Sequence, residues 1–182
     1  MFRGYPNCSV HHVGGVLMYR IGRDGFTFPP VPAPGDACVF VFGEIDVRCH
    51  IARIAERDKR NIVQVMIELA TDYLTSIQRF AMAYEITPVV CCILPASDRG
   101  HENSLPVYGP LWQRSLVTIG MNELLRRGCD SAGGIKFLDY WGEFAMSDGS
   151  LRHDRSDGLL HVAEKFYPIV HAALNQLLSR DP

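Results

Sequence analysis

Between residues 61 and 85 the apolar positions Ile62, Val65, Met66, Leu69, Tyr73, Ile77 and Phe80 recur at three- and four-residue spacing. That period places one apolar stripe along a helix, and Asn61 just ahead of it is a residue type that caps helix starts. Short unbroken apolar runs have a different meaning. Residues 38–42, CVFVF, and 89–95, VVCCILP, are rich in Val and Phe, and such runs predict strands covered on both faces. The segments 16–21, VLMYRI, and 135–139, IKFLD, are predicted as further strands. Helices are expected at about 47–57, over 110–127 with Gly128 as a stop, and over 159–179 as the closing element. Strands alternating with long helices predict an α/β fold, a mostly parallel sheet layered between helices.

Polar residues gather where the strand-like runs end. After Phe42 come Gly43, Glu44, Asp46, Arg48 and His50; after 89–95 come Ser97, Asp98 and His101; the third run ends on Asp139. In open α/β sheets ligands bind beyond the carboxyl ends of the strands, so these groups are expected at one rim. Cys91 and Cys92 lie within a strand-like run, where successive side chains point to opposite faces, and are expected in the core.

The totals add limits. A chain of 182 residues suits a single domain over 1–182, one that buries about 70% of its unfolded surface. The net charge of −2 gives no reason to expect nucleic acid as a partner. No apolar run approaches the ~20 residues that span a bilayer, and no membrane partner is expected. Six cysteines, three of them inside strand-like runs, suit reduced core thiols and a cytoplasmic location. The apolar segments 26–32 and 105–112 are expected to cover the site or to form a contact in a homo-oligomer.

Three stretches hold candidate chemistry. NCSVHH, residues 7–12, offers Cys8 and Ser9 as nucleophiles, which need a base within hydrogen-bond reach. GEIDVRCH, residues 43–50, is open to three readings: a carboxylate–arginine network that satisfies a turn, a clamp for a developing oxyanion, or a metal site of Glu44, Asp46 and His50 with His11 or His12. The spacing matches no metal motif, so no metal or other cofactor is expected. In SDGLLH, residues 156–161, Ser156 is placed to cap the last helix while Asp157 orients His161 as a general base.

Taken in order, these pieces resemble the SGNH, or GDSL-type, hydrolase superfamily over nearly the whole chain. Asn7-Cys8-Ser9 stands for its nucleophile motif, Gly43-Glu44-Ile45-Asp46 for its GxND-like motif, and Asp157 with His161 for its DxxH motif. Ile45 replaces the family's oxyanion-hole Asn, and one extra residue separates Asp157 from His161. The GEIDxRCH wording resembles an uncharacterised bacterial subgroup. The resemblance implies a three-layer α/β/α sandwich, flavodoxin-like in arrangement, and hydrolysis or acyl transfer on a small ester such as an O-acetyl group. It implies catalytic roles for Ser9 (or Cys8), Asp157 and His161, with Gly43, Glu44, Asp46 and Arg48 binding substrate or oxyanion. The alternatives are a scaffold that binds a small polar ligand without cleaving it, and a metal-dependent enzyme using the histidines and the GEID carboxylates.

Overall fold

A computed structural model describes residues 1–2, 4–26, 31–98 and 105–179. Its sheet has three parallel strands in the order β1 (Ala37–Phe40), β2 (Thr87–Cys91) and β3 (Lys136–Leu138). Val39 is level with Val89, and Val90 with Phe137. The crossovers are α3 (Ile62–Tyr84) and α4 (Leu111–Ala132). Right-handed crossovers that step the same way across a sheet leave their helices on one face. That face, formed by Phe40, Val90, Ile93 and Ile135, packs on Tyr73, Ile77, Met121 and Leu125. Each such buried side chain contributes about 1.5–3 kcal/mol. The opposite face, with Val89, Cys91 and Leu138, is covered by Phe144 of α5 (Trp141–Phe144), by Val170 and Leu174 of α6 (Tyr167–Leu178), and by Phe2. Helices on both faces of a parallel sheet make the α/β sandwich that the strand–helix alternation predicts.

The predicted α3 forms almost to the residue. The Asn61 side chain accepts the Val63 N–H at 2.8 Å, and left-handed Glu85 (φ 54°) ends the helix. Residues 16–21 are not a strand. Residues Met18–Asp24 form a helix, α1, with Met18 and Ile21 buried three residues apart and Tyr19 exposed. It lies against α3, where a Cβ on Gly22 would come within 2.9 Å of Asp72 Cβ. Its first turn gains a partner remote in sequence: the Asp46 carboxylate accepts the N–H groups of Met18 (2.9 Å) and Tyr19 (3.4 Å).

Other boundaries differ for physical reasons. β1 is an edge of the described sheet, covered on both faces only in part: Phe40 is buried while Cys38 and Val39 are only half-buried. The strand buried on both sides is β2. It ends at Cys91, so Cys92 turns beyond the strand into the same α6-side core as Cys91, and the two thiols do not divide between faces. Gly128 does not stop α4; it lies inside, where Leu74 of α3 occupies the space a Cβ would need. The closing helix starts at Tyr167 with Pro168 in its first turn, a position where proline's missing N–H costs nothing.

Candidate functional site at the carboxyl rim of the sheet

Because all three strands are parallel, their carboxyl ends open to one rim, and the chain is pinned there by side chains. Asn122 of α4 takes the place of a neighbouring strand at the exit of β2: its Oδ1 accepts the Ile93 N–H (2.7 Å) and its Nδ2 donates to the Ile93 carbonyl (2.9 Å). Gly43, at the exit of β1, has φ +102°, and a Cβ there would lie 2.6 Å from both Ile93 Cδ1 and Met18 Sδ. Only glycine fits this combination of left-handed backbone and close approach.

The chain then forms a π-helical turn over Asp46–His50 that leads into α2 (Ile51–Arg57). The four consecutive residues Asp46, Val47, Arg48 and Cys49 are all buried. Asp46 is fully buried and serves α1, as described above. Burial raises its carboxyl to about pH 6, against the lowering effect of the two α1 N–H groups. Arg48 Nε donates to Glu44 Oε1 at 2.6 Å, and its Nη1 donates to the Pro106 carbonyl. The carboxylate–arginine network expected of GEIDVRCH thus forms between Glu44 and Arg48, while Asp46 is held apart from it. Ile45 has its Cδ1 in the space beside Gly15.

Residues 156–162 are not helical. Ser156 and Val162 form an antiparallel bridge, and the Asp157 N–H donates to the His161 carbonyl at 2.9 Å. Ser156 therefore caps no helix; its Oγ accepts the Gly158 N–H at 3.0 Å. Asp157 Oδ1 accepts the N–H groups of Leu159 (2.8 Å) and His161 (3.2 Å), which leaves Oδ2 3.5 Å from His161 Nδ1. The loop is fastened to the rim by Ser97, whose Oγ donates to the Leu159 carbonyl at 2.8 Å.

Glu44, Arg48, Ser97, Arg114 and Leu160 share one small cavity of about 10 Å³, with Val47 and residues 94–96 completing its wall. Two of the three stretches singled out from the sequence, GEIDVRCH and SDGLLH, thus meet there. His161, next to Leu160, is 62% exposed at its side chain. Cys8 and Ser9 are exposed in the segment before α1, Cys8 Sγ contacts only the Ser9 carbonyl (3.8 Å), and no hydrogen bond joins either to His161 among the described residues. Gly43 and Asp46 do not line the cavity. Asp139 accepts the Trp141 N–H at 2.9 Å at the start of α5, and His101 lies outside the described residues. Among the described residues no three His, Cys, Asp or Glu side chains are grouped to hold a metal ion, so His11, His12 and the GEID carboxylates do not form the cluster a metal reading requires.

Sequence reasoning passed over Arg114. It is only 2% exposed, and its Nη1 donates to the Ser97 carbonyl at 2.8 Å. Its signal was present: Arg114 lies on the buried stripe of α4 with Val117, Thr118, Met121 and Leu125, where a cation is out of place.

All six cysteines are free thiols; only Cys8 is exposed, and burial pushes Cys91 and Cys129 up to about 12. No described helix is long and apolar enough to cross a membrane.

No family model and no curated protein matches the sequence. Eleven chains of known structure match the fold. One, from Streptococcus pneumonia and provisionally described as a platelet activating factor, has a TM-score of 0.53 at 14% identity and covers 79% of this chain. Another, from Bacteroides fragilis and provisionally described as an acylhydrolase, has a TM-score of 0.59 at 17% identity and covers 92%. The chain spans 59% of the length of the first and 72% of the second. At such identities the likeness is one of architecture: this chain is an α/β sandwich with a parallel sheet, of the kind found in acylhydrolase-like structures.

Proposed function

We propose that the protein is an SGNH-like hydrolase or acyl-transfer enzyme acting on a small ester, an O-acetyl group being the simplest. The observation that carries this reading is the Asp157–His161 pair, held on a loop that shares its cavity with Glu44 and Arg48. Asp157 Oδ2, 3.5 Å from Nδ1, is placed to stabilise the imidazolium that forms when Nε2 takes a proton. Ser9, or Cys8, is the proposed nucleophile; attack on the ester carbonyl forms an acyl-enzyme and expels the alcohol, which takes its proton from His161. Arg48, which lines the cavity, is the proposed receiver of the oxyanion. The description of the Bacteroides fragilis neighbour as an acylhydrolase supports the same class of chemistry, and the six free thiols support a reducing, cytoplasmic setting. Turnover of p-nitrophenyl acetate by wild type, His161→Ala, Ser9→Ala and Cys8→Ala tests it. His161→Ala is expected to lose ~10²–10⁴-fold in rate; unchanged turnover in that variant refutes the mechanism.

One observation favours a second reading, a scaffold that binds a small polar ligand without cleaving it. Neither Cys8 nor Ser9 bonds to His161, and both are exposed. Labelling of residue 8 or 9 by a thiol-directed or fluorophosphonate reagent, abolished in His161→Ala, rejects this reading, and absence of labelling favours it.

A further inference from the structure

Among the described residues Arg114 is a buried cation with no carboxylate bonded to it; Asp98 and Glu44 act on it only from a distance. Its side chain reaches the rim cavity from α4, its Nη1 has the Ser97 carbonyl, and its buried Nε has no hydrogen-bond partner. No carboxylate forms a salt bridge with it among the described residues. Glu44 lines the same cavity but is paired with Arg48, and Asp98 is exposed on the loop beyond Ser97. The lining therefore holds two guanidinium groups and one carboxylate. A buried guanidinium left with a single neutral acceptor is costly, and a protein recovers that cost when a charged acceptor arrives. Burial, with Arg48 nearby, already pulls the Arg114 guanidinium below its usual value, yet arginine stays charged in proteins. The cavity, about 10 Å³, accepts one oxygen-sized group, not a whole polyatomic ion.

We propose that Arg114 is the anchor of a binding site for an oxyanion, a carboxylate or phosphate group that inserts one oxygen into the cavity while the rest of its molecule stays at the mouth beside Leu160 and His161. The site would select anionic molecules over neutral ones, and for an esterase it would select substrates bearing an acidic group. It rests on the same cavity as the proposed ester chemistry but predicts binding, so the absence of turnover leaves it intact and the absence of binding leaves turnover intact.

The test is calorimetric titration of the full chain with acetate and with inorganic phosphate, and with chloride at matched ionic strength. Saturable binding of acetate or phosphate, absent with chloride, is expected, and the tighter of the two names the group. Arg114→Met, which keeps an unbranched apolar stem and removes the charged head, is expected to weaken that binding ~10-fold or more. Ala96→Val, at another residue that lines the cavity, crowds it while keeping the Arg114 charge and is expected to weaken binding likewise, which covers the case in which Arg114→Met fails to fold. No binding of either oxyanion by wild type, equal binding of chloride, or undiminished binding in a folded variant overturns the proposal.

Discussion

Asp46 joins the rim turn to a helix formed nearly thirty positions earlier in the chain, and its titration gives a sharp test of that arrangement. Folded, it releases its proton at about pH 6 because burial outweighs the two α1 N–H groups; its ordinary value is 3.8. Between those values the folded chain holds a proton that the unfolded chain has released. Stability must therefore fall as pH rises through this window. The size follows from about 1.36 kcal/mol per pH unit over roughly two units, or about 3 kcal/mol. Below 3.8 both states are protonated and above about 6 both are ionised, so outside the window this group adds no slope. Asp46→Asn keeps an oxygen for the Met18 N–H and has no proton to release. Urea unfolding of wild type and Asp46→Asn at intervals from pH 4 to pH 8 isolates the term, because other titrating groups cancel in the difference. The advantage of wild type over the variant is expected to shrink by about 2.4 kcal/mol between pH 4 and pH 7. Parallel curves, with a difference constant to about 0.5 kcal/mol, would show that Asp46 ionises as an ordinary carboxylate and that the account of its burial is wrong.

Gly43→Ala combines a positive φ with a methyl 2.6 Å from Ile93 Cδ1 and Met18 Sδ, and it is expected to destabilise the fold by about 2 kcal/mol or more in chemical denaturation. Arg48→Met leaves Glu44 and the Pro106 carbonyl without their partner, a loss of about 1.5–3 kcal/mol by the same measurement. With a thiol-specific chromogenic reagent on folded protein, Cys8 is expected to react at once, and Cys91, Cys92 and Cys129 only at the rate of unfolding; rapid reaction of the latter group would contradict their burial. Ser97→Ala removes the bond that fastens residues 156–162 to the rim, and in the esterase reading it is expected to lower kcat with little change in folding midpoint.

Much of the fold is written in local sequence because local physics decides it. The three- and four-residue spacing from Ile62 to Phe80 has one good solution, a helix with a buried stripe, and the Asn61 cap requires contacts only two residues away. The apolar runs around Val39, Val90 and Phe137 became parallel strands because long helical crossovers separate them. Gly43, Glu44 and Arg48 were legible as a structured turn, since Glu44 and Arg48 lie four residues apart on one curve of the chain. Tertiary structure alone decided what depends on distant partners. Residues 18–24 contain no capping signal of their own, and they are helical because Asp46 and the α3 face supply what the segment lacks. The residues around Asp157 and His161 look like a helix start, yet Ser97 and the bridge to Val162 hold them as a loop. Arg114 is one charge on an otherwise apolar stripe, and only the folded chain brings it to Arg48 across a single cavity. Periodicity reports which way a side chain faces; which groups meet there is set by contacts made from far along the chain.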